Sequence, residues 1–208
     1  MKRKISIYTI LLVSFSLLSC LPKIKQSGFL QSYDNLEESG TGRMLSYISP
    51  NFERGKYRKF IINDVVVMFS EEGRGKEVDK EKLDELTKFF KEEIIKNLEP
   101  EYSVVDEPGE DVARMQIAIT EVTPGRVFAN IFPISAAINS ASGRAKGGAG
   151  IEMRVVDSQT NELLGQAMDN RKDRGYLKSF SRMGNTRAVL TYWAELLRER
   201  IDHYANAL

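Results

Sequence analysis

The stretch ARMQIAITEV, Ala113 to Val122, decides the fold of this chain. Met115, Ile117 and Ile119 fall on one side and Arg114, Gln116 and Thr120 on the other, which is the period-two pattern of a strand with one buried face. Ile151, Met153 and Val155 alternate in the same way. The turn-prone run Asp157-Ser158-Gln159-Thr160-Asn161 follows, and then Glu162 to Asp169, so these two segments are expected to form a hairpin. Upstream, Tyr57 to Phe69 (YRKFIINDVVVMF) is dense in β-branched and aromatic residues on both faces. That density predicts a strand covered on both sides, placed at the centre of the sheet. Tyr102 to Val105 adds a short strand before the turn signal Glu107-Pro108-Gly109.

Two segments carry helical spacing. Between Asp79, a plausible N-cap, and Leu98, the residues Leu83, Leu86, Phe90, Ile94 and Leu98 line one face while Lys and Glu fill the other. From Asn185 to Tyr204 the stripe is Val189, Trp193, Leu196, Leu197 and Ile201. The order is strand, helix, strands, hairpin, helix. Burying both stripes on one sheet gives an α/β fold, a two-layer sandwich with a mostly antiparallel sheet and two amphipathic helices packed on it.

The amino-terminal region is of another kind. Met1-Lys2-Arg3-Lys4 is followed by Ile5 to Leu18, a run without charge, Gly or Pro. A basic n-region and a short apolar h-region fit a secretory signal peptide, and the run is shorter than the roughly 20 residues of a spanning helix. Leu17-Leu18-Ser19-Cys20 then resembles the bacterial lipobox, and Cys20 is the chain's sole cysteine. The resemblance implies cleavage before Cys20 and attachment of a diacylglyceryl group to its sulfur; a free cysteine behind an ordinary signal peptide is the alternative. Two or three acyl chains, at roughly 0.8 kcal/mol per buried methylene, make a stable anchor. Leu21 stands where inner-membrane lipoproteins resemble one another in having Asp, so the expected location is the outer membrane, with the domain facing the periplasm. The division expected is residues 1–19 as signal peptide, 20–53 as a lipidated tether and extended segment, and 54–208 as a single periplasmic α/β domain.

Removing residues 1–19 takes away three basic residues and turns the formal net charge of +1 into about −2. Such a balance gives no long-range attraction for nucleic acid. Residues 20–208 are long enough for one core.

Several stretches together resemble a family of bacterial lipoproteins catalogued only as domain of unknown function 3313. They are Ser27-Gly28-Phe29-Leu30 with Tyr33 and Leu36, Val104 to Gly109, Ala118-Ile119-Thr120, Phe132-Pro133-Ile134, Gly143 to Gly150, Val156 to Thr160, Glu162-Leu163-Leu164 and Trp193-Ala194. The resemblance runs in order over nearly the whole mature chain. It implies a lipid-anchored envelope protein and supplies no catalytic residue.

The residues themselves offer little catalytic chemistry. His203 is the only histidine and sits on the polar side of the last helical turn, where a surface imidazole is expected. With one histidine and a lipidated cysteine, a Cys/His metal cluster or dyad has no components, and neither metal nor cofactor is expected. Asp106, Glu107, Glu110 and Asp111 crowd one loop without the spacing of a calcium site, and a solvated turn is expected there. Gly143 to Gly150 lacks the Gly-Lys-Ser/Thr ending of a phosphate loop and leads into a strand; a flexible hairpin is the expectation. Asp169 to Arg174 reads as a solvated strand exit, or, with Tyr176, as the rim of a partner site formed by Arg171, Arg174 and Tyr176. Val127 to Gly150 is long for a connection and uncharged as far as Gly143. It reads either as a strand and surface loop or as an apolar flap in which Phe132, Ile134 and Ile138 dock on a partner, a neighbouring subunit or the membrane, with Arg144 and Lys146 at its edge. The expected function is a non-enzymatic outer-membrane lipoprotein that binds an envelope protein or cell-wall component; the alternatives are self-assembly into a homo-oligomer, as in a structural or secretion-associated subunit, and an envelope enzyme working through carboxylates.

Overall fold

The computed structural model describes residues 25–39, 44–71, 75–76, 78–99, 101–123, 148–172 and 185–205. The elements in chain order are β1 (Glu37–Ser39), β2 (Met44–Ile48), β3 (Lys59–Ile62), β4 (Val66–Val67), α1 (Lys80–Leu98), β5 (Ser103–Val104), β6 (Val112–Thr123), β7 (Gly148–Asp157), β8 (Leu163–Lys172) and α2 (Asn185–Ala205). They build an eight-stranded sheet ordered β1-β2-β8-β7-β6-β3-β5, with β4 also pairing β6. The long pairs β6–β7 and β7–β8 are antiparallel, as are β2–β8 and β1–β2. Only the short contacts of β3 and β4 with β6 and of β5 with β3 are parallel. The α/β sandwich with two helices on a mostly antiparallel sheet is therefore what the chain forms.

Both helices cover the same face. Leu86, Phe90, Ile94 and Leu98 of α1 join Val189, Leu190, Trp193 and Leu197 of α2 in one core over Met115, Ile117 and Ile119 of β6. Each large side chain so buried is worth about 1.5–3 kcal/mol. Asp79 caps α1, accepting a hydrogen bond from the Glu81 backbone N–H at 2.9 Å. The helices lie side by side and point the same way. Arg187 sits over the Phe89 ring, Thr191 donates to Glu93 at 2.9 Å, and Arg198 Nη1 donates to the Asn97 carbonyl at 2.9 Å.

The hairpin β7–β8 turns where its sequence asks. Asp157 Oδ1 accepts from the backbone N–H groups of Gln159 and Thr160, both at 2.9 Å, and Asn161 takes a positive φ of 60°. The end of the Gly-rich run departs from the flexible hairpin expected: Gly148 to Gly150 are already strand β7. A β-bulge between Ile119 and Glu121 brings Thr120 against Gly150, where a Cβ would lie 2.7 Å from Thr120 Oγ1. Glycine is there for close approach, not for mobility.

Tyr57 to Phe69 is not the central strand. It jogs at residues 63–65 into β3 and β4, because Ile62 pairs with Met115 while Val66 pairs with Ala118, four steps on one strand against three on the other. The centre belongs to the longer β6, β7 and β8. The apolar residues on both faces have a local cause: Phe60 and Ile62 enter the helix-side core, and Ile61 is buried on the opposite face.

That opposite face is crossed by residues 27–33. Glu152 of β7, fully buried, accepts from the Ser27 backbone N–H at 2.8 Å and from the Tyr33 hydroxyl at 2.7 Å. Gln166 donates to the Ser32 carbonyl at 2.9 Å, and Leu30 is buried at 4% exposure. Burial, then the bond to Glu152, pushes the Tyr33 hydroxyl pKa up. The segment expected to be extended goes on to contribute β1 and β2 to the sheet.

Candidate binding cleft

The second helix packs over β7, and among the described residues no further helix lies on the same face of β8 and β2. In those strands three of the inward positions are small: Ala167 stands opposite Ser46, and Gly165 opposite Ile48. At Gly165 an added Cβ would lie 3.0 Å from Ile48 Cδ1 and 3.1 Å from the Tyr47 carbonyl, so β2 and β8 meet there with no space to spare. Small residues on the floor and long ones on α2 leave a cleft of about 150 Å³ between Ser46, Gly165 and Ala167 below and Leu197, Ile201 and Tyr204 above. Met44 and Met153 flank its floor.

The cleft runs along α2. At one end Tyr204 meets the edge of Phe52 at 5.7 Å, and Phe52 stacks on Tyr57 at 6.0 Å. Tyr57 in turn donates to Asp157 at 2.9 Å; burial first and this bond second push its pKa up to about 12. Arg200 Nη1 reaches across to Ser39 Oγ at 2.8 Å and ties α2 to β1.

At the other end lies Asp169, 1% exposed. Its Oδ2 accepts from Trp193 Nε1 at 3.0 Å and from Arg171 Nε at 2.6 Å, and the Arg171 guanidinium sits 4.3 Å from the centre of the Tyr192 ring. Its Oδ1 is buried and, among the described residues, has no hydrogen-bond partner. An unsatisfied buried acceptor costs about 1–3 kcal/mol, and more when charged, so an oxygen left in this state marks strain or a missing donor.

The sequence-predicted site residues fare unequally. Arg171 is brought into the Asp169 network, and β8 extends to Lys172, so the expected solvated strand exit begins with a buried carboxylate instead. The physical reason is phase: Gly165, Ala167 and Asp169 share the inward face of β8, and Trp193 supplies the donor that makes a carboxylate tolerable there. Asp106, Glu107 and Glu110 are exposed, and Asp111 pairs with Lys59 at 3.1 Å. His203 is exposed, with its ring edge against Tyr204. Cys20, Phe132, Ile134, Ile138, Arg144, Lys146, Arg174 and Tyr176 lie outside the described residues. Among the described residues, no group of His, Cys, Asp and Glu is placed to hold a metal ion, and no helix is long and apolar enough to cross a membrane. The cleft itself was missed by sequence reasoning. Its signal was an acidic residue in the inward phase of a strand, in a chain with a single tryptophan on a helix stripe.

No curated protein matches the chain at a significant level. Among solved structures it is similar to PelC of Paraburkholderia phytofirmans, a dodecamer, at 10% identity and a TM-score of 0.39 over 80% of this chain and 100% of that one. A PDZ domain protein of Parabacteroides distasonis matches at 12% identity and a TM-score of 0.43, over 80% of this chain and 36% of that one. A DUF4136 family protein of Bacteroides thetaiotaomicron matches at 11% identity and 0.40, over 81% and 98%. The sequence itself matches the family of proteins of unknown function DUF3313 over residues 25–197, so the chain belongs to that family.

Proposed function

We propose that this chain is a lipid-anchored lipoprotein of the outer membrane whose periplasmic domain binds an envelope component without transforming it, through the cleft between α2 and strands β2 and β8. The observation that carries the reading is the cleft itself: an apolar hollow with one buried, incompletely satisfied polar group is the usual form of a binding site. The other buried carboxylates support it by being spent on structure. Glu121 accepts from Asn170 Nδ2 at 2.7 Å, Glu152 holds residues 27 and 33, and Asp157 holds its own turn and Tyr57.

The anchor limits the distance from the bilayer. From Cys20 to Ser27 the chain can reach at most about 25 Å, and Ser27 is fixed on the face of the sheet opposite the helices. A lipid on Cys20 would hold Ser27, and with it that face, within about 25 Å of the bilayer. The test is metabolic labelling with palmitate of the parent and a Cys20→Ala variant, followed by membrane fractionation. Label and outer-membrane recovery lost together in the variant support the reading. Undiminished labelling refutes the lipidation site, and recovery from the inner membrane refutes the location.

A further inference from the structure

The cleft's polar end specifies what it binds. Asp169 carries a negative charge that Arg171 already neutralises through Oδ2, and the same oxygen takes the Trp193 N–H. Oδ1, by contrast, lacks a donor among the described residues. A ligand bringing a cation would add an uncompensated charge to an apolar hollow, which is costly. A ligand bringing only an acceptor would leave Oδ1 unsatisfied. A neutral O–H or N–H donor satisfies it without either penalty.

The hollow limits the apolar part. Its volume is about 150 Å³, the size at which an apolar protein cavity takes up a benzene ring. Met44 stands directly across from Asp169 on β2, and Met153 flanks the floor. These unbranched thioethers repack at little cost, so they allow a ring to reach an oxygen that is shielded when the cleft is empty.

We infer that the cleft is a site for a small molecule with an apolar, ring-sized body and one neutral hydrogen-bond donor, of the phenol type, with Asp169 Oδ1 as its acceptor. The inference rests on the proposed binding role of the cleft and adds the chemistry of the ligand. The donor's hydrogen bond to a carboxylate is the discriminating contact. Hydrogen bonds to charged groups are strong enough to separate phenol from toluene by about tenfold or more.

The experiment titrates the mature chain with phenol, toluene and benzylamine, reading the fluorescence of Trp193, the only tryptophan in the chain, with heteronuclear NMR shifts as a second readout. Phenol is expected to bind about tenfold or more tighter than toluene, with benzylamine weaker than phenol. Asp169→Leu, which removes every polar atom there, is expected to erase the preference of phenol over toluene, and Ser46→Leu, which fills the floor, is expected to abolish binding of both while the circular dichroism spectrum is unchanged. Equal binding of phenol and toluene to the parent overturns the inference and leaves the cleft as a binding site. Tightest binding of benzylamine overturns the neutral-donor assignment. Failure of all three probes to perturb Trp193 or the cleft resonances overturns the cleft reading as well.

Discussion

Replacing Trp193 by Phe isolates one bond in the network at the end of the cleft. The indole is 3% exposed, its ring centre is 6.3 Å from that of Phe90, and its Nε1–H is one of two donors to the buried Asp169 carboxylate. Phenylalanine keeps the aromatic body in the core and removes the donor. A lost hydrogen bond to a buried charged acceptor costs about 1.5–3 kcal/mol. The missing half of the indole leaves a void of roughly 40 Å³, about 1 kcal/mol at 24 cal/mol per Å³. The expected loss is therefore about 2.5–4 kcal/mol, nearly as much as the ~3–5 kcal/mol expected for Trp193→Ala. The assay is urea unfolding followed by circular dichroism, with Asp169→Leu as the second arm of a double-mutant cycle. In the Asp169→Leu background the same Trp193→Phe change is expected to cost only about the 1 kcal/mol of the void. A cost under 1 kcal/mol in the parent, or an equal cost in both backgrounds, would show that the indole N–H does not support Asp169 and would remove the polar end of the cleft from the account.

Glu152→Gln removes the charge that holds Ser27 and Tyr33 and is expected to raise amide exchange in residues 27–33 well before the rest of the domain, at a cost of about 1–3 kcal/mol; unchanged exchange there would show that the segment is held by something else. Gly150→Ala pushes a methyl group to 2.7 Å from Thr120 Oγ1 and is expected to lower the urea midpoint by the equivalent of about 1–3 kcal/mol, whereas a flexible glycine would tolerate the change. The Tyr57–Asp157 pair predicts a stability plateau with two shoulders. Burial tends to raise the Asp157 pKa, but the N–H groups of Thr160 and Gln159 and the Tyr57 hydroxyl outweigh it and hold the value below the ordinary one. Its contribution is accordingly present above about pH 3.9 and lost as pH falls through the lower folded value. Tyr57, pushed up to about 12, contributes fully below its ordinary value near 10 and loses that contribution as pH rises through about 12. Tyr102, which donates to Asp202, is pushed by burial and that bond to about 12 as well, so Tyr57→Phe should reduce the alkaline shoulder in urea midpoints measured across pH and leave the Tyr102 share, and an unchanged shoulder would assign it elsewhere.

The long elements of the fold were legible in the sequence because their periods are clean. Met115, Ile117 and Ile119 alternate over a strand long enough to average out exceptions, and Leu86, Phe90, Ile94 and Leu98 mark one face of α1 as both sequence and burial have it. The Asp157 turn was legible because its chemistry is local. What failed was position within the sheet: β3 carries as much β-branched density as a central strand, yet its surroundings come from β6, β5 and α1, which no property of residues 57–69 announces. In sequence the strands β1 and β2 read only as extended chain, since Met44 to Ile48 gains its order from pairing with β8, more than a hundred residues away. The cleft was illegible for a related reason. Its floor joins Ser46 of one strand to Ala167 of another, and small residues mean a hollow only once the elements above them are known. In sequence Asp169 reads as part of a solvated strand exit, because its donor, Trp193, lies on a helix stripe that reads as core alone.

The central claim is that an anchored domain offers its cleft to an envelope component. A photoreactive residue placed at Ile201, on the α2 wall of the cleft, and another at Glu99, beyond the end of α1, test it in living cells, with intact-mass spectrometry of the extracted protein as the readout. The account predicts a discrete mass added at Ile201, absent at Glu99, and lost from Ile201 when Cys20→Ala removes the anchor. Adducts of the same mass and yield at both positions, or a cleft that stays unmodified while Glu99 captures a component, would contradict it.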